Sequence, residues 1–170
     1  VLVKSDKLDN KNLVLSSDKD FIQLHGFRVD QFSPLTKKFV KNNDPLNYLR
    51  EHIIKGDRSD GVPNILSSDD TFVTDKRQKP MRKVVIKEIT EALNQSEPEK
   101  LYTLAKCSKE IWVRNWQRNQ TLIDFGYIPQ DITKKITEEF DNVTTGSRSN
   151  LFNYFVQRNL NNLIGSIGEF

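Results

Sequence analysis

Two short segments group carboxylates in patterns that can hold a hard cation. Asp18 and Asp20, in Ser17-Asp18-Lys19-Asp20, are two residues apart, a spacing that in extended backbone points both side chains to one face. Asp57 and Asp60, in Gly56-Asp57-Arg58-Ser59-Asp60-Gly61, are three apart, which is one face of a helical turn. Carboxylates from separate elements suit Mg2+, which takes oxygen ligands, keeps several waters and accepts one or two carboxylates directly. A pair of such ions can activate a water and stabilise the leaving oxygen of a phosphodiester. Each segment also has a plainer reading. Asp-Lys-Asp before a helix is a capping sequence, and Gly-Asp-Arg-Ser-Asp-Gly is good turn chemistry. Their occurrence together, about forty residues apart, is what favours the cation site.

The elements that must position these residues can be read from the apolar pattern. Residues 13–17 are a short apolar run of the kind that makes a buried parallel strand. The strand ends in Ser17-Asp18, where open α/β sheets place ligands, and Asp18 or Asp20 can cap a helical turn over 21–24. A second strand is predicted near 28–32, then a turn at Ser33-Pro34 and a short edge strand at 38–40. Residues 1–43 thus read as an α/β remnant of short parallel strands with a hairpin.

From residue 44 the pattern becomes mostly α-helical through residue 170. Asp44 as N-cap with Pro45 behind it is a strong start signal. Leu46, Leu49, Ile53 and Ile54 give that helix one apolar face. Asn64-Ile65-Leu66 starts a short second helix, and residues 67–79 form a polar loop. Pro80 opens a helix to about residue 93, with Val84, Val85, Ile89 and Leu93 on one side. Further helices are expected at 97–106, 108–120, 129–141 and 148–159.

Composition is that of an ordinary folded protein, 36% hydrophobic and 29% charged over 170 residues. No run approaches the roughly eighteen apolar residues that a membrane span needs. The lone Cys107 excludes a disulfide framework or a cysteine zinc site built within the chain, and a cytoplasmic location is expected. Net charge is only +3, but basic residues gather as Lys76, Arg77, Lys79, Arg82, Lys83 and Lys87. An acidic pocket beside a basic run suits an enzyme that holds cations and grips a polyanion; a solvated loop is the plainer reading. The chain has no initiator Met and opens on Val1-Leu2-Val3 in mid-pattern, so it is expected to be part of a longer protein.

The combination SSDKDF, a hairpin, and a helix ending in KGDRSDGVP resembles the 5′ nuclease family of flap endonucleases and polymerase-associated 5′ exonucleases. The pieces QFSPLTKKFVK, LIDFGYIP, YFV and SIGEF narrow the likeness to the branch found in T-even bacteriophages and spread it from residue 16 to residue 170. The resemblance implies a helix-three-turn-helix motif at about 44–66 that grips duplex phosphates, with Gly56, Arg58, Ser59 and Gly61 in its bend. It implies that Asp18 sits between two Mg2+ ions, and that Asp20, Asp57 and Asp60 hold the second ion largely through water; Mn2+ also fits. It implies a substrate of duplex DNA or RNA–DNA hybrid with a 5′ end or flap, 5′–3′ exonuclease and ribonuclease H activity on replication intermediates, and an infected bacterial host cell as the location. The family takes further acids from an amino-terminal half, so these 170 residues are expected to bind duplex weakly and not cut it alone. Where the family carries a glycine-rich second hairpin, this chain has Val62-Pro63-Asn64-Ile65-Leu66.

Lys76, Arg77, Lys79, Arg82 and Lys83 are expected to grip phosphates from a loop and a helix start. Lys37, Lys38 and Lys41 can guard an edge strand or touch nucleic acid. Trp112 and Trp116 are expected in the core rather than stacked on bases, as are Phe152, Tyr154 and Phe155. His25 and His52 have no metal-ligand spacing and receive no role. The apolar tail from Leu163 can pack back on the helical domain or dock on a sliding clamp or single-strand-binding protein.

Overall fold

The computed structural model describes residues 1–2, 11–74, 76–143 and 148–169. Expectations for residues 3–10, Asp75 and Phe170 lie outside them. The first strand, β1 (Asn12–Leu15), pairs in parallel with β2 (Val29–Ser33), and β2 pairs antiparallel with the edge strand β3 (Lys38–Val40). Between β1 and β2 the chain makes a 3-10 turn, Lys19–Leu24, that buries Ile22, Gln23 and Leu24. The strand–turn–strand–hairpin reading therefore holds, with one correction. A buried strand requires Leu13 and Leu15 inside, yet they are 55% and 66% exposed. Among the described residues no layer covers that face of β1, and alternation leaves only the Val14 face partly buried.

Helix α1 (Pro45–Lys55) begins where Asp44 Oδ1 accepts from the Asn47 N–H at 3.1 Å. Its buried residues are Ile53 and Ile54, while Leu46 remains 56% exposed. No helix forms at 64–66; the chain runs through turns until α2 (Lys83–Asn94). The reason is that the backbone there bonds elsewhere: Asn64 Oδ1 accepts from the N–H of Leu66 and the hydroxyl of Ser67, and Asn64 Nδ2 donates to the Lys79 carbonyl. Helix α2 turns the expected Val85, Ile89 and Leu93 toward the core, with one exception. Ile86, Ile89 and Ala92 are buried and Val84 is 66% exposed.

Helix α3 (Pro98–Ala105) and α4 (Lys109–Ile123) complete the main core. Ile54, Ile65, Ile86, Ile89, Leu101 and Trp112 meet there, with Trp116 packed against them. The Trp112 and Trp116 rings stack with centroids 5.9 Å apart, as the core reading expects. Helix α5 (Gln130–Asn142) follows.

The chain divides into two compact units, residues 1–136 and 137–170. In the second unit α6 (Leu151–Gln157) packs on the short α7 (Asn161–Ile164). Phe155 is its buried aromatic. Phe152 and Tyr154, expected in a core, are 52% and 51% exposed, because they lie on other faces of α6.

Candidate metal and nucleic-acid site

The loop that carries Asp18 and Asp20 is pinned from beneath by one buried amide. Gln31, on β2 and 1% exposed, donates from Nε2 to the carbonyls of Ser16 and Asp18 at 2.9 and 2.6 Å. The hydroxyls of Ser17 and Ser33 meet at 2.7 Å and tie the same loop to the end of β2. Asp18 Oδ1 then accepts from the Asp20 N–H at 2.9 Å, which starts the 3-10 turn and leaves the Asp20 carboxylate facing α1. Gln23 fixes the far end of that turn. Its Nε2 donates to the Ile123 carbonyl, and its Oε1 accepts from the Phe125 N–H.

The second segment forms a closed bend. The Val62 N–H donates to the Asp57 carbonyl at 2.7 Å, so residues 57 and 62 pair across it. Gly56 enters the bend with φ 67° and ψ −178°, and a Cβ there would sit 2.4 Å from the Val62 carbonyl oxygen. Only glycine meets both demands. Asp57 Oδ1 accepts from the Ser59 N–H at 2.8 Å and from the Ser59 hydroxyl. That capping holds the Asp57 carboxyl below its ordinary range: the Ser59 side chain contributes most, burial opposes it, and His52 and the Ser59 and Asp60 backbone add to it.

Helix α4 grips the bend from behind. Asn119, with no exposed surface, donates from Nδ2 to the carbonyls of Ile53 and Pro63 at 2.7 and 2.9 Å. Arg118 donates to the carbonyls of Pro63, Asn64 and Ser67 and to Asp69. Asn115 reaches the carbonyls of Ile65 and Ser67. Asn115 stands one turn before Arg118 and Asn119 on α4. Together they supply by direct bonding the order that glycine-rich sequence would otherwise have to permit.

The two acidic segments meet at His52. This residue, on the last turn of α1 and 13% exposed, places Nε2 3.1 Å from Asp57 Oδ2 and Nδ1 3.3 Å from Asp20 Oδ1. Asp20, His52 and Asp57 each offer a ligand atom within 4.8 Å of the others. Burial pushes the Asp20 carboxyl above its ordinary range; His52 opposes the shift, and the charges of Asp18, Asp57 and Asp60 add to it. The four aspartates therefore lie in one electrostatic neighbourhood, with Asp18 and Asp60 on its exposed rim. Tyr48 stacks edge-on against His52 at 5.9 Å. Burial and the charges of Asp20, Asp57 and Asp18 raise its phenol as well. The donor set fits a divalent cation. Carboxylate oxygens and an imidazole converge, and apart from His52 the charges that act on Asp20 are carboxylates.

Sequence reasoning missed His52. The available signal was its place one turn before Gly56-Asp57, which sets it over the bend; nothing local reveals Asp20 as its other neighbour.

The basic residues divide by what they already hold. Lys76 pairs with Asp70 at 2.6 Å, whereas Arg58 lies over the Phe72 ring at 5.9 Å. Lys76, Arg77 and Lys79 border a cavity of about 330 Å³ with Ser67, Ser68 and Thr71. Arg82 and Lys83 are exposed at the start of α2. In the bend the Gly56 N–H donates to the His52 carbonyl, the Gly61 N–H to the Arg58 carbonyl, and Ser59 is spent on Asp57.

A mixed sheet followed by a turn that carries Asp20, met by Asp57 from a distant bend, fits the carboxyl-terminal part of a 5′ nuclease. The chain belongs to the family described as T4 RNase H, C terminal, whose model matches residues 46–170. Among curated proteins it is similar to the ribonuclease H of Enterobacteria phage T4, with 33% identity over 178 aligned positions that cover 100% of this chain. They cover 55% of that relative, so the chain spans about half its length. No helix among the described residues is long and apolar enough to cross a membrane.

Proposed function

We propose that this chain is the carboxyl-terminal part of a two-metal 5′–3′ exonuclease and flap endonuclease that removes RNA primers and adjacent DNA during phage replication. The observation that carries the reading is the meeting of Asp20 and Asp57, from a strand end and a distant helical bend, in one ligand group. When bound there, Mg2+ or Mn2+ would activate a water and stabilise the leaving oxygen of a phosphodiester. Asp20 would face the ion, with Asp57 across His52 from it and Asp18 and Asp60 engaged from the rim, the aspartates acting largely through water.

The substrate is a duplex DNA or RNA–DNA hybrid with a 5′ end or flap. The bend at Gly56, Arg58, Ser59 and Gly61 and the loop behind it act as the grip on the duplex, in the place of the expected helix-three-turn-helix motif. Since the bend's Gly56, Ser59 and Gly61 donors are used internally, the grip on phosphate falls to the side chains of Arg58, Lys76, Arg77, Lys79, Arg82 and Lys83. Further acids from outside this chain complete the pair of ion sites, so the 170 residues alone bind a forked duplex weakly and do not cut it. The apolar tail from Leu163 offers a contact for a sliding clamp or single-strand-binding protein, and the protein works in the host cytoplasm.

A second reading, a non-catalytic duplex-binding module, draws on the fact that Asp18 and Asp57 also serve as caps. One experiment separates the two. The full-length protein should shorten a 5′-labelled RNA–DNA hybrid from its 5′ end with Mg2+, and Asp20→Asn should abolish this while leaving gel-shift binding of the hybrid in place. Retained binding without any cleavage by the parent protein would favour the second reading.

A further inference from the structure

Within the ion pocket, the imidazole of His52 is arranged as a ligand rather than as packing. The Asp57 carboxylate can only accept, so the Nε2 facing its Oδ2 at 3.1 Å carries the proton. In the neutral ring, the form that can bind a metal, this leaves a lone pair on Nδ1. Nδ1 is buried and makes no hydrogen bond, although Asp20 Oδ1 lies 3.3 Å away. Two electron-rich atoms at that distance repel unless a proton or a metal cation lies between them. The contact lacks hydrogen-bond geometry, so a proton on the line between them is poorly placed. Two cis ligands of an octahedral ion with bonds near 2.1 Å lie about 3 Å apart with the ion off their line, which matches the observed spacing.

Asp57 then takes a different part from Asp20. A carboxylate that accepts the second N–H of a ligating histidine fixes its tautomer and ring orientation. Asp57 Oδ2 stands in that place, while Asp57 Oδ1 is committed to Ser59.

We propose that His52 binds the pocket's metal ion directly through Nδ1 beside Asp20, oriented by Asp57, and that this nitrogen biases the pocket toward borderline first-row ions such as Mn2+ over Mg2+. An imidazole is a stronger donor to such ions than to Mg2+, which favours carboxylate and water. The inference deepens the nuclease reading and rests on its ion pocket.

The test uses Mn2+ itself, bound to the metal-free full-length protein with 15N-labelled histidine and followed by pulsed electron paramagnetic resonance and calorimetry. Bound Mn2+ should show coupling to a histidine nitrogen. His52→Gln should remove that coupling and weaken Mn2+ binding by about tenfold or more, while Mg2+ binding changes by less than about threefold. Mn2+ that binds in competition with Mg2+, is lost in Asp20→Ala and shows no nitrogen coupling would overturn the role of His52 and leave the ion pocket intact. If neither ion binds in a way that Asp20→Ala affects, the pocket reading falls and takes this inference with it. The coupling is read on the parent protein, so the result does not hang on how well the variant folds.

Discussion

Asn119 on α4 donates to the carbonyl of Pro63 at 2.9 Å, at the exit of the acidic bend. The same nitrogen holds the Ile53 carbonyl at 2.7 Å, so one buried amide joins the end of α1 to the far side of the bend. Its replacement by Ala strands the Ile53 carbonyl and leaves the Pro63 carbonyl to Arg118 alone. Asn119→Ala should cost about 2–4 kcal/mol in urea unfolding, against less than about 1 kcal/mol for the exposed Gln117→Ala. Equal losses at both positions would show that the bend does not depend on α4.

Gly56 allows no side chain. With φ at 67° and a Cβ placed 2.4 Å from a backbone oxygen, Gly56→Ala meets both steric overlap and a backbone region that only glycine adopts freely. A loss of about 2 kcal/mol or more is expected, with a matching fall in melting temperature. Gly61, at φ 74° with open space around it, should tolerate Asn far better than Gly56 does.

Asp20 and Asp57 should respond to pH in opposite senses when divalent ions are chelated. The Asp20 carboxyl is raised, chiefly by burial, so it binds a proton more readily in the folded chain than in the unfolded one. Its contribution is fully favourable below the ordinary Asp range and is lost as pH rises through the raised value. Asp57 is lowered; its contribution is present above the ordinary range and is lost as pH falls through the lowered value. Near neutral pH, Asp20→Asn should therefore be neutral or stabilising and Asp57→Asn destabilising. Urea titrations across a pH series in chelator read both, and shifts of the same sign would refute this account.

Binding of nucleic acid should reveal the basic loop. Replacing Lys76, Arg77 and Lys79 together with Ala should lower the slope of log affinity against log salt by about 0.9 for each duplex phosphate that is no longer neutralised. An unchanged slope returns these residues to solvent.

Local chemistry was the legible part of the sequence. Asp44-Pro45 starts a helix where its side chain can cap, and it does so at Asn47. The Asp18 and Asp57 segments could be singled out because carboxylate spacing and turn residues are local as well. What could not be read depends on which layer covers which face. Leu13 and Leu15 look like a core strand but stand exposed, and Val84 yields its inward place to Ile86. The short helix expected at 64–66 does not form, and Arg118 and Asn115, some fifty residues on, bond the carbonyls of Asn64 and Ile65 instead. His52 escaped notice for the same reason: half of its environment is Asp20, far away in the chain.

Asp57 divides its two oxygens between neighbours, one shaping the bend through Ser59 and the other facing the imidazole. A geneticist working at codon 57 would therefore see a single compound phenotype, with loss of shape and loss of chemistry inherited together. Only alleles at its neighbours, Ser59 on one side and His52 on the other, can separate the two.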